Sequence, residues 1–142
     1  MKDRKILVPL DGSPISAQTL KTLIDLKESI PSPLTLLHVL DLDVLSYRGF
    51  AETSFNEIEE RARGEAQSFI AGLQDLFAAA GVLVEAIVRE GHVRDTICKT
   101  ADSGEYDLLV IGKQTDGELR NLLFDQVANY VVHHVKCPVL IV

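Results

Sequence analysis

The sequence predicts a single doubly wound α/β domain, a five-stranded parallel sheet with four helices on its two faces. Three observations carry this reading. The 142 residues contain five short runs rich in Val, Ile and Leu. Those runs are nearly continuous rather than alternating, as strands buried on both faces require. The stretches between them have helical period, and strands alternating with helices through right-handed crossovers wind such a sheet. A chain of this length suits one domain at about 100 to 200 residues each, here spanning 1–142.

The elements follow in order. The first strand is expected over Lys5 to Leu10. Ser13 then serves as N-cap with Pro14 at the first helical position, and Ala17, Leu20, Leu23 and Ile24 form one apolar stripe. The second strand is read over Leu34 to Leu40. The longest helix is expected from about Asn56 to Ala80, because Ile58, Ala62, Ala66, Phe69, Ile70, Leu73, Leu76 and Phe77 share a face and Gly81 can end it. A third strand spans Val82 to Val88. The helix after Gly91 turns Val93, Ile97 and Ala101 inward and stops at Gly104. The fourth strand covers Asp107 to Gly112. A last helix carries Leu122, Leu123, Val127, Tyr130, Val131 and His134 before the strand Pro138 to Val142. Ligands in such sheets bind beyond the carboxyl ends of the strands. Function is therefore sought in the loops Asp11 to Ser13, Asp41 to Phe55, Arg89 to His92 and Lys113 to Asn121.

Composition removes several function classes. Fourteen basic against twenty-one acidic residues leave a net charge of −7, which repels nucleic acid and anionic membrane. No segment approaches the roughly 20 apolar residues of a membrane span, and the apolar run after Lys5 is too brief for a signal peptide. A cytoplasmic protein is expected. Cys98 and Cys137 stand far apart without a Cys-x-x-Cys, so neither a disulfide framework nor a zinc site is encoded. No metal site is expected.

Taken in order, several stretches resemble the universal stress protein family along nearly the whole chain. They are Asp11-Gly12-Ser13 after the first strand, Leu36-Leu37-His38-Val39, Glu90-Gly91, and the block from Asp107-Leu-Leu-Val-Ile-Gly112 to Cys137-Pro138-Val139-Leu140-Ile141-Val142. The resemblance implies the strand order 3-2-1-4-5, with the switch point between strands one and four. In ATP-binding relatives the adenine and ribose are contacted from positions matching Pro9, Asp11 and Val39. Their phosphates lie against a Gly-x-x-Gly, nine residues, Gly-Ser/Thr pattern. Here Gly112 keeps the first position, while Thr115, Asp125 and Gln126 replace the other three.

Those replacements restore side chains where a backbone must approach a phosphate. The Asp125 carboxylate, falling near the first turn of the last helix, can itself occupy the positive end of the dipole. At about 4 Å and an effective dielectric near 20, carboxylate and phosphate repel by roughly 4 kcal/mol. Between 113 and 125 the acidic Asp116, Glu118 and Asp125 outnumber Lys113 and Arg120. Gly112 and Gly117 have Walker A spacing, but Glu118-Leu119 stands where Lys-Ser/Thr belongs. ATP with magnesium is thus disfavoured, and no cofactor is assigned. The expected role is a non-catalytic stress-response binding or signalling module. The alternative is an ATP-binding member in which Gln126 and backbone amides hold phosphate, with slow hydrolysis.

Other candidates divide into sharp and bland readings. Asp11 and Ser13 can orient a ribose or a metal, or simply cap the first helix. His38, in an apolar run, reads as a hydrogen-bonded core histidine. His133 and His134 suit the C-terminal end of a helix. Tyr47 and Phe50 can stack on a base or anchor their own loop. Asp41-Leu42-Asp43 has the outline of a haloacid dehalogenase nucleophile loop, a phosphatase reading opposed by its place after strand two. No Gly-x-Ser-x-Gly elbow supports a serine hydrolase. Val139, Leu140, Ile141 and Val142 end the chain as an uncharged edge without a lysine to block pairing, so a homodimer through this strand is expected.

Overall fold

The computed structural model describes residues 4–31, 33–43, 52–113 and 126–142, and of residues 52–55 the backbone only. Five strands, β1 (Ile6–Pro9), β2 (Leu34–Leu40), β3 (Val84–Glu90), β4 (Leu108–Ile111) and β5 (Val139–Ile141), form one parallel sheet in the order β3-β2-β1-β4-β5. The described helices are α1 (Pro14–Asp25), α2 (Glu52–Ala79), α3 (Val93–Ala101) and α4 (Gln126–His134). The expected fold class and strand order are therefore observed.

The period of two along each strand sends alternate residues to opposite layers. Ile6, Val8, Leu34, Leu36 and Val110 pack with Leu23 of α1 and Ile70 and Phe77 of α2. Leu7, Leu37, Leu109 and Ile111 face the other way, onto Ile97 and Ala101 of α3 and Ala128 and Val131 of α4. The strands read as continuous apolar runs because both faces are covered.

Three departures from the expected pattern have physical reasons. On α1 the buried position is Thr19, not Ala17, which is exposed. A threonine tolerates this because its Oγ1 donates to the Ile15 carbonyl at 2.8 Å, leaving its methyl to pack. Leu76 is 54% exposed although it was expected on the inward stripe of α2. Phe77, one residue on, takes the core position in line with Leu73 and Ile70, and neighbours on a helix do not share a face. Strand β3 runs to Glu90 rather than stopping at Val88, its pairing with β2 continuing through Val39–Arg89 and Leu40–Glu90. As an edge strand it can expose charged side chains.

Side chains tie the layers together. Glu90 accepts two hydrogen bonds from the Arg63 guanidinium of α2, both 3.1 Å. The Lys27 ammonium donates to the Ala80 carbonyl at 2.8 Å, covering the end of α2. Asp102, after α3, accepts from the amides of Lys136 and Cys137 at 3.0 and 2.9 Å and so fixes the entry to β5. Among the described residues no helix is long and apolar enough to cross a membrane.

Candidate functional site

Where β1 and β4 lie side by side, the helices that follow them leave in opposite directions and a crevice opens beyond the strand ends. Its volume is about 680 Å³, including the open mouth. Pro9 and Asp11 line it from β1, Val39 from β2 and Gly112 from β4, with Val93 and Ile97 of α3 and Val127 and Val131 of α4 making an apolar wall. Four residues singled out in the sequence, separated by up to a hundred positions, thus share one concavity. Among the described lining residues there is no lysine or arginine.

Asp11 is held by its own neighbourhood. Its Oδ1 accepts from the Ser13 amide at 2.7 Å and from the Ser16 hydroxyl at 2.9 Å, while its amide donates to Ser16 Oγ at 2.8 Å. Ser13 Oγ in turn accepts from the Ser16 amide at 3.2 Å, so Ser13 is the N-cap of α1 with Pro14 following. Partial burial by itself raises the Asp11 pKa. Hydrogen bonds from Ser13 and Ser16, together with the charge of His38, outweigh burial and hold it below the ordinary carboxylate range. The capping role read from sequence is therefore real, and Asp11 lines the crevice as well. Ser16 escaped the sequence reading; the Asp-x-Ser-x-x-Ser spacing was the available signal.

Gly112 has a local reason to be glycine. A Cβ there would run into the Thr19 hydroxyl and come within 3.0 Å of the Ile15 side chain, because α1 passes directly over the end of β4. Its lack of a side chain serves helix-to-strand approach, independently of any ligand.

Elsewhere the bland readings hold. His38 Nδ1 lies 3.0 Å from the Leu10 carbonyl, which can only accept, so Nδ1 carries the proton; its ring tilts against Phe69 at 4.8 Å between centroids. His134 Nδ1 likewise donates to the Tyr130 carbonyl at 2.7 Å, at the end of α4 with His133 before it. Burial, followed by the charge of Asp102, pushes both the Cys98 and Cys137 thiols up, the opposite of what a nucleophile needs. Thr115, Asp125, Tyr47 and Phe50 lie outside the described residues. Gln126 opens the described part of α4 and borders a shallow depression next to the crevice, shared with Asp41 and His92.

A model of the universal stress protein family matches residues 3–142. Universal stress protein MJ0531 of Methanocaldococcus jannaschii is 29% identical over 140 residues, covering 98% of this chain and 81% of the relative. Universal stress protein Sll1388 of Synechocystis sp. is 30% identical over 148 residues, covering 97% and 96%. Among solved structures, protein MJ0577 of Methanocaldococcus jannaschii superposes with a TM-score of 0.79 at 25% identity, covering 100% of this chain and 96% of that one. More distant likenesses, at 20% and 21% identity and TM-scores of 0.67 and 0.58, are an Arabidopsis thaliana family protein with AMP bound and a universal stress protein in complex with cAMP. The first covers 98% of this chain and 90% of its own, the second 100% and 98%. Strand order, the capped Asp11 turn after β1 and the full-length match agree, and this chain belongs to the universal stress protein family.

Proposed function

We propose that this protein is a non-catalytic binding module, acting in signalling, whose switch-point crevice takes an adenine nucleoside or its monophosphate and holds a triphosphate weakly or not at all. The supporting observation is the crevice itself, where Pro9, Asp11 and Val39 converge beneath an apolar wall suited to a flat base. Asp11 offers an ionised oxygen at the rim, an acceptor for ribose hydroxyls. A triphosphate tail carries several negative charges, and no described lining residue offers it an ammonium or guanidinium. The wall beside Gly112 is already filled by Thr19 and Ile15. In sequence, Asp125 adds a carboxylate at the position where ATP-binding relatives carry glycine. The neighbours solved with AMP and with cAMP make nucleotides of one phosphate the first class to test.

Titration calorimetry with adenosine, AMP and ATP with magnesium tests this reading. AMP is expected to bind at least as tightly as ATP, and low-micromolar ATP affinity overturns it. The pair Asp125→Gly with Gln126→Ser is expected to gain ATP affinity by about a hundredfold or more, from removal of a roughly 4 kcal/mol repulsion. Unchanged tight ATP binding supports the second reading, an ATP-binding member with Gln126 near the phosphates and slow hydrolysis. The observation favouring that alternative is the place of Gln126 beside the crevice. Phosphate-ester hydrolysis lost in Asp41→Asn would instead make it a phosphatase.

We also propose a cytoplasmic single-domain protein that pairs with a second copy through β5. Among the described residues the strand has one neighbour, β4, and Leu140 is 38% exposed. The opposite edge, β3, is guarded by Glu85, Arg89 and Glu90, whereas β5 carries no charge. Light scattering at micromolar concentration is expected to give a dimer mass that Leu140→Lys halves; a monomer before mutation refutes the pairing.

A further inference from the structure

Asp41 and Asp43 follow β2, and His92 precedes α3, 51 residues after Asp41 in sequence. The structure brings them together: Asp41 Oδ2 lies 3.4 Å from His92 Nδ1, and Asp43 Oδ2 lies 3.5 Å from His92 Nε2. One donor atom from each residue lies within 4.8 Å of the other two. Two donors bound to one tetrahedral ion with bonds near 2.1 Å are about 3.4 Å apart, and the two ring nitrogens face opposite sides of the imidazole, so closing on an ion requires the exposed Asp43 carboxylate to swing from Nε2 to the Nδ1 side that Asp41 already faces. Asp41 is oriented in advance, its Oδ1 accepting the Asp43 amide at 3.0 Å and its Oδ2 left toward the imidazole. The imidazole distinguishes this group from a surface acidic cluster, because a neutral ring nitrogen selects borderline cations over magnesium or calcium.

We propose that Asp41, Asp43 and His92 form a zinc-type divalent cation site on the rim beside the crevice. The ion takes a carboxylate oxygen from each aspartate and one nitrogen from His92. Among the described residues the side chains of His92 and Asp43 are largely solvent-exposed, which leaves a further position for water or a ligand. Its location is the depression that Gln126 also borders, next to the nucleoside crevice but sharing neither Asp11 nor Gly112. An occupied site clips the end of β2 to the start of α3, and because only the folded chain holds the three ligands together, the ion stabilises the fold by mass action. No residue of the proposed nucleoside site takes part, so failure of either reading leaves the other standing.

The test uses the untagged full chain with zinc chloride, and magnesium chloride as comparison, in titration calorimetry and thermal unfolding. One zinc per chain, a higher melting temperature and no magnesium binding at the same concentrations are expected. His92→Ala and Asp43→Asn each weaken zinc by at least about tenfold, while His134→Ala at the end of α4 does not. The exposed Asp43 keeps the test usable if the histidine variant folds poorly. Zinc binding that survives both substitutions, magnesium binding of equal strength, or no zinc binding at tens of micromolar overturns the proposal. The last result assigns the trio to a plain ion pair between His92 and the two carboxylates.

Discussion

Asp11 and Asp41 occupy equivalent places, each just past the carboxyl end of a central strand, each with Oδ1 accepting the amide two residues on, at 2.7 and 3.0 Å. Their third partners differ. Asp11 is closed off by Ser16, five residues away on the helix that follows it. Asp41 meets His92, 51 residues away on another crossover. One turn is completed by the chain that made it, the other by a part of the molecule that arrives only when the sheet is assembled. The first is a folding device that borders a ligand crevice; the second is a meeting point whose chemistry exists only in the folded state.

The comparison can be broken on the Asp11 side first, where the largest effect is expected. Gly112→Ala pushes a methyl group into Thr19 and Ile15 at the start of α1 and is expected to cost about 1–3 kcal/mol in urea unfolding. The double variant with Thr19→Ala recovers part of that loss, since the hydroxyl is the nearest obstacle. If Gly112→Ala is neutral, α1 is not pinned over β4, and the glycine is left with a ligand role alone.

Asp11→Ala comes next, at about 1–2 kcal/mol, because the Ser13 amide and Ser16 hydroxyl lose their acceptor at once. Asp11→Asn keeps an oxygen there and costs less. The pH dependence has a defined sign. With the folded pKa below the unfolded one, the Asp11 contribution is fully present above about pH 4 and is lost as pH falls through the folded value. Replacing the carboxylate with an amide should therefore flatten the acid limb of the stability profile below about pH 4, measured by denaturant titration at several pH values. An unchanged limb would mean that the carboxylate is no better stabilised folded than unfolded.

The same contrast explains what the sequence revealed. The α1 cap at Ser13 and Pro14, the end of α2 near Gly81 and the five strand cores were legible because their signals sit within a few residues of the structures they specify. Thr19 was passed over in favour of Ala17 because its polarity is cancelled by the Ile15 carbonyl one turn back, a bond that does not exist until the helix does. Leu76 was misjudged because a long amphipathic helix carries more apolar residues than one face can bury. The glycine at 112 was legible as special, but its reason, the passage of α1 overhead, depends on the distance between two elements. The grouping of Pro9, Asp11, Val39 and Gly112 was reached through resemblance, and the parallel sheet supplies the physical cause by ending β1, β2 and β4 on one side. The Asp41, Asp43 and His92 meeting was legible only by halves. Two aspartates after β2 suggested phosphate chemistry, and nothing near them in sequence announced a histidine.

The smallest expected effect belongs to Asp41, and it is the sharpest test of the contrast. In metal-free protein, a double-mutant cycle between Asp41→Asn and His92→Ala should return a coupling below about 0.5 kcal/mol, because the imidazole is largely in water and exposed ion pairs contribute little. Asparagine also keeps the oxygen that accepts the Asp43 amide, so the local turn survives. A coupling above about 1 kcal/mol without metal would make the Asp41–His92 contact a structural fastening like the one around Asp11. The two strand ends would then differ in sequence distance but not in kind.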